Sequence, residues 1–86
     1  MNYVDLNKNN RYAELNLPLV TGKIKIKVSR EKCNDVLVEV VDEAGNALSK
    51  PLHKIIPELK PKKAVAKMRF IMNNFSTSPI EIKLSF

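Results

Sequence analysis

Side chains that could carry nucleophilic or metal chemistry are scarce in this chain of 86 residues. It contains one cysteine, Cys33, and one histidine, His53, which lie on separate segments. A thiol nucleophile needs a neighbouring base, and a zinc site needs at least three protein ligands. Two glycines in the whole chain are too few for the usual glycine-rich phosphate loops. We therefore expect no enzymatic activity, no small-molecule substrate, no metal and no cofactor.

Basic residues are the chemical feature that recurs in a pattern. Between residues 23 and 28, lysines alternate with β-branched residues, so a strand would hold three ammonium groups on one face, about 7 Å apart. A second predicted strand carries two more cations on one face, and a loop with two prolines carries a third group. If these groups adjoin, they would bind an anionic surface with an affinity that falls steeply as salt rises. The candidate contacts are Lys23, Lys25, Lys27, Lys60, Lys62, Lys63, Lys67 and Arg69.

The same lysines have a second interpretation, in which they keep a β-protein soluble and discourage edge pairing. Charge is nevertheless segregated along the chain, whose net charge is +6. Residues 1–30 and 50–86 carry +4 and +6, whereas residues 31–49 carry −4. This pattern is typical of proteins that bind anionic surfaces, and equally of proteins that pack against copies of themselves.

Alternation of apolar and polar residues, typical of half-buried strands, recurs along the chain. We expect strands at 11–19, 23–28, 36–41, 47–52, 64–72 and 80–86, with a further extended segment at 54–56. Pro18 predicts that the first of these strands either lies at a sheet edge or ends there, because proline cannot donate a ladder hydrogen bond. Its expected buried face comprises Ala13, Leu15, Leu17 and Leu19. The alternation of side chains along a strand also predicts Val65 on an outer face and Phe86 on a buried face.

This spacing of strands, with no convincing helix, predicts an all-β fold. We expect a single antiparallel β-sandwich of six or seven strands over residues 11–86. Residues 1–10 are rich in asparagine and read as an extended N-terminal arm, which frays unless something holds it. In a bound arm, Tyr3 and Leu6 would dock into a neighbouring molecule.

Two stretches resemble immunoglobulin-like or fibronectin-III-like sandwiches. Residues Val36–Asn46 resemble a strand–turn–strand hairpin of such domains, with Gly45 in the turn, and residues 68–84 resemble their final hairpin. The cysteine pair and tryptophan of antibody domains are absent, which excludes a true antibody-type domain. The resemblance implies an immunoglobulin-like sandwich. Small sandwiches with an extended arm are also similar to accessory proteins of virus and phage particles, which implies a virion component.

Three functions are compatible with these features. The first is a structural or protein-interaction module, such as an accessory or decoration component of a larger assembly, with a protein partner or self-assembly. The second is a basic nucleic-acid-binding β-barrel, although single-strand binders usually add exposed aromatic platforms. The third is a small inhibitor that covers a larger protein through the acidic stretch Glu31–Asp42 or the basic loop.

The lone cysteine favours a reducing compartment, either a cytoplasm or a particle assembled in one. The first residues lack the basic and apolar regions of a signal peptide, so we expect no secretory leader. No apolar run reaches the roughly 18 residues of a membrane span, so we expect no membrane partner.

Overall fold

The computed structural model describes residues 2–29, 35–73 and 79–86. Within these ranges the chain forms eight strands and one short 3₁₀ turn at Leu52–Lys54. The strands are β1 (Asn2–Leu6), β2 (Tyr12–Val20), β3 (Ile24–Val28), β4 (Val36–Asp42), β5 (Ala47–Pro51), β6 (Glu58–Leu59), β7 (Val65–Met72) and β8 (Ile80–Ser85). The all-β prediction is confirmed, but the strand number is eight because β1 and β6 also join sheets. In the described ranges, no helix is long and apolar enough to cross a membrane.

The strands form two antiparallel sheets of four strands each. Sheet 1 has the order β1-β8-β3-β6, and sheet 2 has the order β2-β7-β4-β5. The chain thus pairs as one long hairpin, since β1 pairs with β8, β2 with β7, β3 with β6 and β4 with β5. The further pairs β3–β8 and β4–β7 roll this hairpin into two layers. This nested arrangement is that of an eight-stranded jelly roll.

The immunoglobulin-like strand order is not confirmed. In that order the last two strands are neighbours in one sheet. Here β7 lies between β2 and β4, whereas β8 lies between β1 and β3 in the other sheet. The hairpin expected over residues 68–84 is therefore replaced by a crossover between layers. The hairpin at Val36–Asn46 is confirmed, with Gly45 at φ +89° in its turn.

The two sheets bury their facing sides against each other. The alternation in β3, β4 and β8 has the expected phase, which gives these strands a fully apolar inner face. Phe70 is the largest side chain that is completely buried. The core consists of Val4, Leu6, Leu17, Ile24, Ile26, Val36, Val38, Leu52, Ile55, Val65, Met68, Phe70, Met72, Ile80, Ile82 and Leu84.

The N-terminal segment differs from the predicted arm. Residues 2–6 form an edge strand of sheet 1, in which Val4 lies opposite Ile82. The side chains of Val4 and Leu6 are 3% and 0% exposed, so they belong to the core and Leu6 cannot dock into a neighbour. Tyr3 points to the outer face and is 43% exposed. The reason is that Val4 and Leu6 lie on the same face of the strand, where pairing with β8 places them opposite the buried Ile82 and Ile80.

Irregular pairing changes the face of two apolar residues. In β2 the register shifts between Asn16 and Val20, and Leu19 adopts a left-handed backbone with φ +51°. Leu19 is therefore exposed rather than buried, while the edge position expected from Pro18 is confirmed. In β7 the register with β4 shifts next to Val65, which turns this side chain into the core at 1% exposure. Such irregularities disrupt the ladder locally and redirect the side chains beside them.

The remaining differences concern strand ends. β8 stops at Ser85, and Phe86 is half exposed rather than buried. The extended segment expected at 54–56 is replaced by the 3₁₀ turn, after which Ile55 is buried. Cys33 lies outside the described residues.

A leucine-to-alanine pair tests whether β1 belongs to the fold. We expect Leu6→Ala to lower the free energy of unfolding by about 2–5 kcal/mol, because it leaves a cavity at a fully buried site. Leu48→Ala is the matched control at a leucine that is 59% exposed, and its effect should stay within about 0.5 kcal/mol. Urea unfolding followed by circular dichroism measures both. Equal stability of Leu6→Ala and the native protein would show a free arm.

Candidate anion-binding face

The outer side of sheet 1 carries a group of exposed lysines, which we call the lysine face: Lys23, Lys25, Lys27 and Lys83. Ile24 and Ile26 point into the core, so the lysines that alternate with them on β3 must point outward. Lys83 is placed in the same way by Ile82 and Leu84 on β8. Because β3 and β8 are adjacent, the two strands present their cations side by side.

Within this face, two lysines lie directly opposite each other. Lys27 on β3 is the register partner of Lys83 on β8, which brings their Cβ atoms to about 5 Å. Like charges at such positions destabilise a sheet. Lys25 has milder neighbours, with Ser85 opposite on β8 and Glu58 opposite on β6.

Carboxylates do not compensate this pair. Glu58 lies 3.7 Å from the Nζ of Lys23 and 3.9 Å from the Nζ of Lys60. Among the described residues, Lys25, Lys27 and Lys83 form no ion pair within 4.0 Å. A shallow depression of about 500 Å³ lies between these three lysines, Glu58 and Ser85. The ammonium groups are therefore accessible to an external anion.

The same outer side has an acidic end near β1. Asp5 is the register partner of Glu81, so two carboxylates face each other there. The Tyr3 hydroxyl donates a hydrogen bond of 2.9 Å to Oε1 of Glu81, and this bond raises the pKa of Tyr3. The outer side of sheet 1 is thus polarised, with Asp5 and Glu81 at one end and the lysine face at the other, where Glu58 is the carboxylate on β6.

The second predicted basic group lies on the opposite sheet and is neutralised there. Glu14 on β2 lies 3.1 Å from the Nε of Arg69 and 3.5 Å from the Nζ of Lys67. Arg69 also lies 3.9 Å from Glu39 on β4, and the Tyr12 hydroxyl donates to Glu14 at 3.1 Å. The bond from Arg69 lowers the pKa of Glu14 and raises that of Arg69. Lys67 and Arg69 therefore do not extend the lysine face.

The loop lysines lie elsewhere again. Lys60, Lys62 and Lys63 line a groove between the edge strands β5 and β6. Of these three, only Lys60 forms an ion pair with Glu58, the carboxylate that also pairs with Lys23 of the lysine face. Lys83, by contrast, belongs to the lysine face but was missed by sequence reasoning. Its alternation with apolar residues was visible, yet nothing in the sequence showed that β8 pairs with β3.

The acidic middle of the chain is largely engaged within the fold. Glu39 faces Arg69, and the Asp42 carboxylate accepts the backbone N–H groups of Ala44 and Asn46 at 3.0 and 2.9 Å. The hydrogen bond from Asn46 is the main reason why the pKa of Asp42 is lowered. Residues 31–34 of this stretch lie outside the described ranges.

Metal ligands do not cluster in the part of the chain that the structure describes. No group of three or more histidine, cysteine, aspartate or glutamate side chains lies close enough there to hold an ion. His53 is exposed in the 3₁₀ turn.

The Glu14 network makes stability depend on pH. Because the native-state pKa of Glu14 is lowered, its charge stabilises the fold above its ordinary pKa of 4.5, and this contribution is lost as the pH falls through the native value. Glu14→Gln should be less stable than the native protein at neutral pH, and the difference should shrink on the acid side of 4.5. Urea midpoints across this pH range measure the effect. Glu43→Gln, at an exposed turn residue, is the control, and a difference for Glu14→Gln that is constant with pH would contradict the charge network.

Comparison with known proteins identifies no relative. No protein-family model matches the chain, and no curated protein or solved structure is significantly similar to it. Any function therefore has to follow from the surface of this chain itself.

Proposed function

We propose that this protein is a non-catalytic interaction module that binds an acidic protein surface through the lysine face. The observation that carries the proposal is the pair of opposed lysines, Lys27 and Lys83, without a carboxylate partner among the described residues. An anion placed between them would replace repulsion by two attractive contacts. The fold tolerates this repulsion in the free state, and a bound partner would relieve it.

The contrast between the two sheets supports this proposal. On sheet 2, the cations Lys67 and Arg69 each have a carboxylate within 3.5 Å. On sheet 1, a glutamate at either position of the opposed pair would have produced an attractive cross-strand contact. Residues that lower stability without an internal benefit are a recognised mark of binding surfaces.

A protein partner fits this surface better than a nucleic acid. The acidic end formed by Asp5 and Glu81 would repel a uniformly negative polymer that runs along sheet 1, whereas a protein can present both signs of charge. Binding of single strands also relies on aromatic side chains on which bases stack. Tyr3 is an exposed aromatic residue on this side, and its hydroxyl is bonded to Glu81 at the acidic end.

We also propose an accessory role in a larger assembly, either a virion or a cytoplasmic one. This role is implied by the resemblance of the sequence to accessory proteins of virus and phage particles. Jelly rolls occur in capsid domains and in lectins, so the observed strand order is compatible with such a role. Architecture alone does not assign a function, and the lysine face is the firmer basis.

A charge-matched pair of double variants tests the lysine face. Poly-glutamate serves as the acidic probe, with a short mixed-sequence DNA duplex in parallel, and fluorescence anisotropy measures binding between about 50 and 200 mM salt. Lys27→Gln/Lys83→Gln should weaken binding of poly-glutamate and reduce its salt dependence. Lys8→Gln/Lys54→Gln removes the same charge at exposed residues elsewhere and should have little effect. Equal losses for both double variants would refute a defined face, and much tighter binding of DNA would favour the nucleic-acid function.

A single charge reversal tests the cost of the opposed pair. Lys83→Glu turns the contact with Lys27 into an attractive one, so it should raise the thermal midpoint by a few degrees while it weakens binding of poly-glutamate. Lys8→Glu is the control, because Lys8 lies in the turn after β1. Differential scanning calorimetry measures the midpoints. A lower midpoint for Lys83→Glu would show that the native lysines do not repel each other.

A further inference from the structure

A second surface lies where the two layers of the sandwich remain open. On one side, the edge strands β1 and β2 are joined by a tight turn in which Asn7 and Asn10 exchange two backbone hydrogen bonds. On the other side, the edge strands β5 and β6 do not pair with each other. A groove of about 360 Å³ lies between them. This groove does not include the opposed lysines of the lysine face.

The floor of the groove is apolar. Leu48 is 59% exposed, more than any other large hydrophobic residue of the described chain. It lies opposite Val40, which packs against the core, so its side chain is on the inner side of sheet 2 and lines the groove. Leu59 contributes from β6. A leucine left in water at the mouth of the core is a site where another apolar side chain could gain burial.

The rim of the groove is basic. Lys50, Lys62 and Lys63 line it and form no ion pair within 4.0 Å in the described ranges, and Lys60 adds a fourth cation. The carboxylate in the lining, Asp42, is already engaged by the backbone of the β4–β5 turn. The electrostatic field at this groove therefore favours an acidic ligand.

The backbone of β5 offers free hydrogen-bonding groups at the same place. The Asp42 N–H donates to the Asn46 carbonyl at 3.0 Å, which makes this pair a hydrogen-bonded one. Since such pairs alternate along an antiparallel ladder, Ala47 and Ser49 direct their N–H and C=O groups away from β4. Both residues are exposed and β5 has no second neighbour. Pro51 occupies the next outward position, where its missing N–H costs no ladder bond.

We propose that an extended acidic peptide segment of a protein partner binds here, adding a strand to the free edge of β5. Its backbone pairs with Ala47 and Ser49, alternate apolar side chains pack on Leu48, and acidic side chains reach the lysine rim. Main-chain hydrogen bonds supply affinity in such strand addition, and the side-chain pockets supply specificity. A second copy of the chain is a poorer occupant, because edge-to-edge pairing would bring two lysine rims together.

Two synthetic peptides and one edge variant test this site. The probe is a short peptide of alternating glutamate and valine, and its control carries the same residues with alternate backbone nitrogens methylated. The probe should shift the amide NMR signals of Ala47 and Ser49, whereas the methylated control should not. Ser49→Pro removes one outward N–H without breaking a bond to β4 and should weaken binding about threefold to tenfold. Leu48→Ser provides a second test that does not depend on how Ser49→Pro folds.

Leu19→Ser is the matched control, since it removes an exposed leucine on the other edge of sheet 2. Loss of binding in Lys27→Gln/Lys83→Gln but not in the β5 variants would move the peptide to the lysine face and overturn this proposal. Unchanged signals at β5 would also overturn it. Dimers in light scattering that Ser49→Pro dissociates would instead assign the edge to a second copy. Because the two surfaces have separate variants, failure at one is distinguishable from failure at the other.

Discussion

The pairing of β8 with both β1 and β3 is the interaction on which the rest of the structure depends. It places the last strand inside sheet 1, where Ile80 and Ile82 become fully buried. Burial of such side chains is the main favourable term in folding. Here it has to offset the entropy that is lost when β1 and β8, from opposite ends of the sequence, are brought together. The same register sets Lys83 opposite Lys27. One pairing therefore builds the core and creates the unfavourable charge contact on the outside.

Local patterns predicted the faces of the strands well because side chains alternate with a period of two wherever pairing is regular. The inner positions of β3, β4 and β8 follow directly from their β-branched and leucine residues. The prediction failed at Leu19 and Val65, where register shifts reverse the phase. It also failed at Val4 and Leu6, because the four residues between Asn2 and Asn7 carry little signal of their own. Only their pairing with β8 makes them core residues.

Local patterns do not show which strands pair with each other, and the candidate site depends on that pairing. Lys23, Lys25 and Lys27 share one strand, so their common face was predictable. Lys83 is separated from them by more than half the chain, and only the sheet order brings it close. The same reason explains why the sequence does not reveal that Lys67 and Arg69 are paired with a carboxylate. Their partner Glu14 lies on β2, which is distant in sequence but adjacent in sheet 2.

The two basic surfaces meet at the shortest strand, β6. Glu58 faces outward beside Lys25, whereas Leu59 faces the groove beside β5. Lys60 follows both, within 3.9 Å of the Glu58 carboxylate and on the rim of the groove. A partner with an acidic surface and an acidic extended tail would therefore engage neighbouring sites on one protein. Since the second contact is then intramolecular, its effective concentration rises and modest affinities at each site combine into a firm attachment.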